Sequence, residues 1–188
     1  MAKSNNQLRI IGGQWKRRQL AFASIDGLRP TPDRVRETLF NWLMWDIANA
    51  RVLDLCAGSG ALGFEALSRG AAHVTFVEPN AEQARYLRDN LILLNGQQQS
   101  EVLQTTAQQA CAQLQSTYDL IFLDPPYALN LWAELATAIR PYLHAQSLIY
   151  VEADRAFNVL GLPADWQIYK TTKAGQVQAA LFRPVAML

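Results

Sequence analysis

Two short segments hold the residue types best suited to chemistry: Asp54-Leu55-Cys56-Ala57-Gly58-Ser59-Gly60 and Asp124-Pro125-Pro126-Tyr127. The glycines of the first let backbone approach a ligand closely, and Asp54 places a negative charge beside it. The second offers a carboxylate, a carbonyl and an aromatic face to a flat substrate. An exocyclic amine on a base is a weak nucleophile because its lone pair is delocalised into the ring. Two acceptors on its hydrogens, the Asp124 carboxylate and the Pro125 carbonyl, favour a pyramidal nitrogen with its lone pair aimed at an electrophile. Pro125 and Pro126 stiffen the turn and donate no hydrogen bonds. Tyr127 can stack on a base extruded from its neighbours. Together the segments suggest group transfer to a planar nitrogen.

The first segment has a rival reading. Gly58-Ser59-Gly60-Ala61-Leu62-Gly63 matches G-x-G-x-x-G, and Glu78 lies 18 residues beyond Gly60, as in dinucleotide-binding folds. Such an acid can bind both hydroxyls of a ribose, whether of NAD or of S-adenosylmethionine. NAD, however, needs a helix N-terminus free for its pyrophosphate, and Asp54 at the strand end opposes a diphosphate. The same carboxylate suits S-adenosylmethionine, which carries an ammonium and a sulfonium. A dehydrogenase also has no use for Asp124-Pro125-Pro126-Tyr127. S-adenosylmethionine is therefore the expected cofactor, with Asp54, Ala57, Gly58, Ser59, Gly60 and Glu78 as its candidate site.

Both loops follow apolar runs, Arg51 to Leu55 and Tyr118 to Leu123, so each reads as the loop at the carboxyl end of a buried strand. Strands are expected near 51–55, 73–78, 101–105, 118–123, 146–152, 166–172 and 176–183. Helices are expected near 61–69, 80–94, 107–115 and 129–143. This alternation implies an α/β, doubly wound, mostly parallel sheet with helices on both faces. Only Thr172 to Gly175 separates the last two strands, so they should pair antiparallel. Upstream, β-type residues on either side of Gly12-Gly13 suggest a hairpin. Asp33 is expected to cap a helix carrying Val35, Leu39, Phe40, Leu43 and Ile47 on one face. Trp42 and Trp45 of that helix read as packing residues. The division expected is a basic arm, 1–36, before a catalytic domain, 37–188.

The 188 residues are half apolar, enough for one sizeable core. No apolar stretch reaches the roughly 18–20 residues of a membrane span, and the first residues do not resemble a signal peptide. Cys56 and Cys111 lack metal spacing, and His73 and His144 stand alone, so no metal site is expected and a reducing cytoplasm is the plain reading. The net charge of +1 hides an asymmetry: residues 1–36 hold eight basic and two acidic groups, a net +6, against −5 for the rest. A basic arm interleaved with Ile10, Ile11, Trp15, Leu20 and Phe22 points to a polyanion partner, with Lys16, Arg17, Arg18, Arg29, Arg34 and Arg36 as candidate RNA contacts.

Nearly the whole chain resembles the bacterial RsmD-type 16S rRNA guanine-N2-methyltransferases. The resemblance rests on Arg9-Ile10-Ile11-Gly12-Gly13-Gln14-Trp15-Lys16, on Leu28-Arg29-Pro30-Thr31-Pro32-Asp33-Arg34-Val35-Arg36-Glu37, on Leu53 to Gly70, on Asp124 to Tyr127 and on Ala174-Gly175-Gln176-Val177. It implies a seven-stranded Rossmann-like sheet with the last strand antiparallel and a small N-terminal extension. It further implies methyl transfer from S-adenosylmethionine to N2 of one guanine, guanine-966, within the small ribosomal subunit, by a cytoplasmic monomer. Carried over, Asp54 lies near the methionine end of the cofactor and Glu78 at its ribose, while Asp124, Pro125, Pro126 and Tyr127 hold the guanine amine. Two positions depart from common patterns. The adenine contact falls among Thr105, Thr106 and Gln108 instead of an Asp or Asn, and Thr106 is the candidate. Cys56 stands where Phe is frequent. The residues alone also admit an adenine-N6 or cytosine-N4 methyltransferase, a protein glutamine methyltransferase, or a non-catalytic ribosome-assembly factor that binds RNA.

Overall fold

The computed structural model describes residues 6–185. Its centre is a seven-stranded sheet built from β3 (Arg51–Asp54), β4 (His73–Val77), β5 (Ser100–Leu103), β6 (Tyr118–Leu123), β7 (Leu143–Ala153), β8 (Trp166–Ala174) and β9 (Val177–Pro184). The spatial order is β5-β4-β3-β6-β7-β9-β8. β3 lies parallel to both β4 and β6, β4 to β5, and β6 to β7, whereas β9 runs antiparallel between β7 and β8. The seven expected strands are all present, with the last antiparallel. β3 and β6 are central and apolar on both faces, as strands covered by helices on both sides must be.

Helices α2 (Ala61–Ser68), α3 (Ala81–Leu94), α4 (Ala107–Cys111) and α5 (Trp132–Ala138) connect the strands. Two expected helices are shorter than their patterns suggest: residues 107–115 yield only α4, which ends at Cys111. Residues 129–143 yield only α5, followed by a 3₁₀ turn at Arg140–Tyr142 and then β7, because Pro141 cannot donate a helical hydrogen bond and ends the run. α1 (Asp33–Trp42) buries Val35, Leu39 and Phe40, and Leu43 and Ile47 beyond its end are buried too. Asp33 is not its cap: Pro32 holds that position without a side-chain bond, and Asp33 instead pairs with Arg36 at 2.5 Å. Trp42 packs on the core, but Trp45 is 87% exposed, contrary to the packing expectation, because α1 has ended before it.

The N-terminal hairpin pairs β1 (Asn6–Arg9) with β2 (Gln19–Phe22) through a connection much longer than a two-residue turn. That connection docks on α2. Glu65, wholly buried, accepts the Ile11 and Gly12 N–H groups at 2.9 and 2.8 Å. The Ser68 hydroxyl accepts from Trp15 N–H and donates to the Gly12 carbonyl. On α3, Gln83 accepts from Ala23 N–H and Asn90 donates to the Ala21 carbonyl. Leu8, Ile10, Trp15, Leu20 and Phe22 share one core with α1, α2, α3 and one face of the sheet. The second core, on the opposite face, packs α4 and α5 against β6 and β7.

Candidate active site

The chain order reverses direction in the sheet at the β3–β6 pair, and in such sheets the crevice beyond the strand ends at that point receives ligands. Both chemistry-bearing loops open there. Four acids line the carboxyl ends of four neighbouring strands: Glu78 after β4, Asp54 closing β3, Asp124 after β6 and Glu152 near the end of β7. Among the described residues none of the four forms an ion pair. Carboxylates held together out of water without counter-charge disfavour ionisation. Burial, opposed by a hydrogen bond from Gly63 and reinforced by Glu78, lifts Asp54 from 3.8 to about 7. Burial also raises Glu78 and, joined by the charges of Glu152 and Asp54, raises Asp124.

The glycine loop is built to keep backbone close to this crevice. Gly60 adopts φ +81°, where a Cβ would sit 2.5 Å from Phe64 and 2.6 Å from Leu87. Gly58, also in the left-handed region, donates its N–H to Glu78 at 3.0 Å, and Leu28 closes over it. Glu78 takes a second N–H from Asn80 at 2.8 Å. Asp54 accepts the Gly63 N–H in the first turn of α2 at 3.0 Å. A carboxylate therefore holds the helix end that a pyrophosphate would need. Ala57 and Ser59 are buried in the loop, and the Ala57 carbonyl accepts the Gly60 N–H. Thr106 is exposed at the start of α4, where its hydroxyl caps the Gln109 N–H. Cys56 packs beside the loop, its thiol pushed well up by burial.

Across the crevice, Pro125 is buried, Pro126 exposed, and Asp124 and Tyr127 partly buried. Tyr127 has one face already covered: Trp132 stacks on it at 5.9 Å between ring centroids and 27° between planes. Its hydroxyl donates to Glu152 at 2.9 Å, and Tyr150 donates to the other oxygen at 2.8 Å. Burial and the Glu152 charge hold the Tyr127 phenol protonated. Glu152 was not among the expected site residues. Its signal was present as a lone acid within the apolar run Ile149-Tyr150-Val151-Glu152-Ala153.

Of the six expected RNA contacts, Lys16, Arg17, Arg18, Arg29 and Arg34 are exposed. Arg36 is not available to RNA. It is 1% exposed, and its guanidinium donates to the carbonyls of Thr31 and Arg9 and to Asp33, beside Glu65 at 3.5 Å. A buried acid needing a counter-charge, supplied by α2, overrode the surface reading. Among the described residues no cluster of His, Cys, Asp and Glu could hold a metal ion, and no helix is long and apolar enough to cross a membrane.

Comparison with known proteins bears on the family and the fold. Residues 8–183 match the family described as Conserved hypothetical protein 95. Ribosomal RNA small subunit methyltransferase D of Escherichia coli K12 is 41% identical over 181 residues, covering 95% of this chain and 91% of that protein. The protein of the same name from Haemophilus influenzae is 41% identical over 186 residues, covering 96% and 95%. The solved structure of yhhF from Escherichia coli superposes with a TM-score of 0.88 at 41% identity, covering 97% of this chain and all of that one.

Proposed function

Since the chain belongs to the Conserved hypothetical protein 95 family of RsmD-type methyltransferases, we propose that it methylates N2 of one guanine of 16S rRNA, guanine-966 in the small subunit, using S-adenosylmethionine. The observation that carries the reading is the placement of acids without ion pairs at neighbouring strand ends, Asp54 and Glu78 at the glycine loop and Asp124 at the Asp124–Tyr127 turn. A cofactor with an ammonium and a sulfonium supplies the counter-charge that Asp54 lacks, and the loop's glycines give it space against the backbone. On both counts the residues fit S-adenosylmethionine, with Asp54 toward its cationic end, Glu78 at the ribose and Thr106 near the adenine.

When bound, the cofactor supplies an electrophilic methyl group on sulfur. The chain's own residues then have to orient the acceptor. Asp124 and the Pro125 carbonyl accept the two amine hydrogens and aim the nitrogen lone pair. The free face of Tyr127 stacks on the base, its other face being fixed by Trp132. Ordering of this kind is worth on the order of 7–11 kcal/mol in well-oriented systems. After transfer the amine carries a surplus proton, and Asp124, whose proton affinity is raised by burial and by its acidic neighbours, accepts it. Lys16, Arg17, Arg18, Arg29 and Arg34 approach the phosphates.

The test is labelled S-adenosylmethionine with small ribosomal subunits from cells lacking this activity, followed by digestion of the rRNA to nucleosides. Label in N2-methylguanosine is the expected result. Label in another nucleoside overturns the guanine assignment, and no label despite cofactor binding overturns methyl transfer to this RNA.

A further inference from the structure

One buried carboxylate gathers the parts of the acceptor site, and the transfer chemistry above leaves it without a task. Glu152 is 4% exposed, on the same face of β7 as Tyr150. Its Oε1 accepts from the Tyr127 hydroxyl at 2.9 Å, and its Oε2 accepts from Tyr150 at 2.8 Å and from Thr31 at 3.3 Å. Its backbone carbonyl accepts the indole N–H of Trp132 at 2.9 Å, the ring that stacks on Tyr127. Glu152 therefore holds the stacking tyrosine at its hydroxyl and the backing tryptophan at its nitrogen.

Thr31 brings in the other end of the chain. It belongs to the segment between the hairpin and α1, in which Leu28 lies against Gly58 of the cofactor loop and Arg29 is exposed, as is Arg34 in the first turn of α1. The Thr31 carbonyl in turn accepts from buried Arg36, which fixes the segment to the start of α1. The strap from Leu28 to Thr31 thus touches the cofactor loop at one end and the acceptor site at the other, with two arginines facing solvent beside it.

We propose that Glu152 is the positioning residue of the acceptor site: it sets the Tyr127 ring for base stacking and latches the RNA-facing strap, through Thr31, to the catalytic turn. The inference rests on the methyltransferase reading above. Glu152 touches neither the methyl donor nor the amine; it acts through Tyr127 and Thr31. Its loss changes the rate at which a bound base is methylated, and leaves cofactor binding unchanged.

The experiment measures single-turnover methylation of small ribosomal subunits, with cofactor affinity by calorimetry, for wild type, Glu152→Gln, Tyr127→Phe, Thr31→Val and their double combinations. Glu152→Gln should slow transfer about ten- to a hundredfold, the worth of one or two hydrogen bonds to a charged group, with the cofactor Kd within about twofold of wild type on the same argument. Tyr127→Phe keeps the ring and loses the tether, so adding it to Glu152→Gln should slow the reaction no further. Thr31→Val with Tyr127→Phe should fall short of the product of the two single effects, because both hydroxyls act through one carboxylate. That pair decides the matter should Glu152→Gln not fold. A Glu152→Gln enzyme with wild-type rate, or effects of Thr31→Val and Tyr127→Phe that multiply in full, overturns the latch while wild-type methylation stands. A wild-type protein that transfers no methyl group overturns the underlying reading and the latch with it.

Discussion

Lowering the pH from 8 to 6 should weaken S-adenosylmethionine binding about tenfold and make binding release nearly one proton, both through Asp54. In the free protein burial and Glu78 carry this carboxyl from 3.8 to about 7, against the bond from Gly63. A cationic ligand beside it supplies the missing counter-charge and returns it toward the ordinary carboxylate range. At pH 6 about nine in ten free molecules then carry the proton and must lose it on binding; at pH 8 about one in ten do. The same shift has a stability signature with a definite sign. Between 3.8 and about 7 the folded chain binds more protons at Asp54 than the unfolded chain does, so the free protein loses stability as pH rises through that window. At roughly 1.4 kcal/mol per pH unit the full effect approaches about 4 kcal/mol, and cofactor binding should offset it at neutral pH. Calorimetry at pH 6 and 8 in buffers of different ionisation enthalpy reads affinity and proton release together. Asp54→Asn retains an acceptor for the Gly63 N–H and should abolish most of the linkage. An affinity that is flat from pH 6 to 8, or an unchanged proton release in Asp54→Asn, would refute the assignment of a cation to this carboxylate.

Other expectations follow from the same geometry. Asp124→Asn should cut methyl transfer strongly in single-turnover assays yet leave cofactor affinity nearly unaltered in calorimetry; an equal loss of both would remove its assigned role. Removing the charges of Lys16, Arg17 and Arg18 should weaken RNA binding and flatten its salt dependence by roughly 0.7–0.9 log units for each phosphate they neutralise, and an unchanged slope in filter binding would make this loop a bystander. Arg36→Gln should instead leave the salt slope intact and destabilise the fold by about 3–5 kcal/mol in denaturant titration, because it leaves Glu65 with one fewer counter-charge in the core.

The sheet and its two loops were legible because their signals are local. An apolar run ending in Asp54-Leu55-Cys56-Ala57-Gly58-Ser59-Gly60 or in Asp124-Pro125-Pro126-Tyr127 states within a dozen residues both the strand and the loop beyond it. Trp45 and the 129–143 helix fail for local reasons, the end of α1 and Pro141, whereas the misread polar groups share one cause, a partner that lies far along the chain. Arg36 reads as one more exposed cation in a basic arm until α2 presents Glu65, on which Ile11 and Gly12 also close from more than 50 residues away. Asp33 has the residue type and place of a helix cap, but Arg9 and Arg36 bind it as a counter-ion. Glu152 had only its company, one acid in an apolar strand, and its three hydroxyl partners come from positions 31, 127 and 150. Burial of a charge is tolerable only when other segments satisfy it, so the polar residues least readable one by one are those that join segments. Glu65 joins the N-terminal hairpin to the sheet domain, and Glu152 joins the strap after that hairpin to the catalytic turn. Two buried acids thus tie the N-terminal segment down, Glu65 to α2 and Glu152, through Thr31, to the Tyr127 hydroxyl; under the proposed function the second tie is the mechanical route from RNA docking to Tyr127.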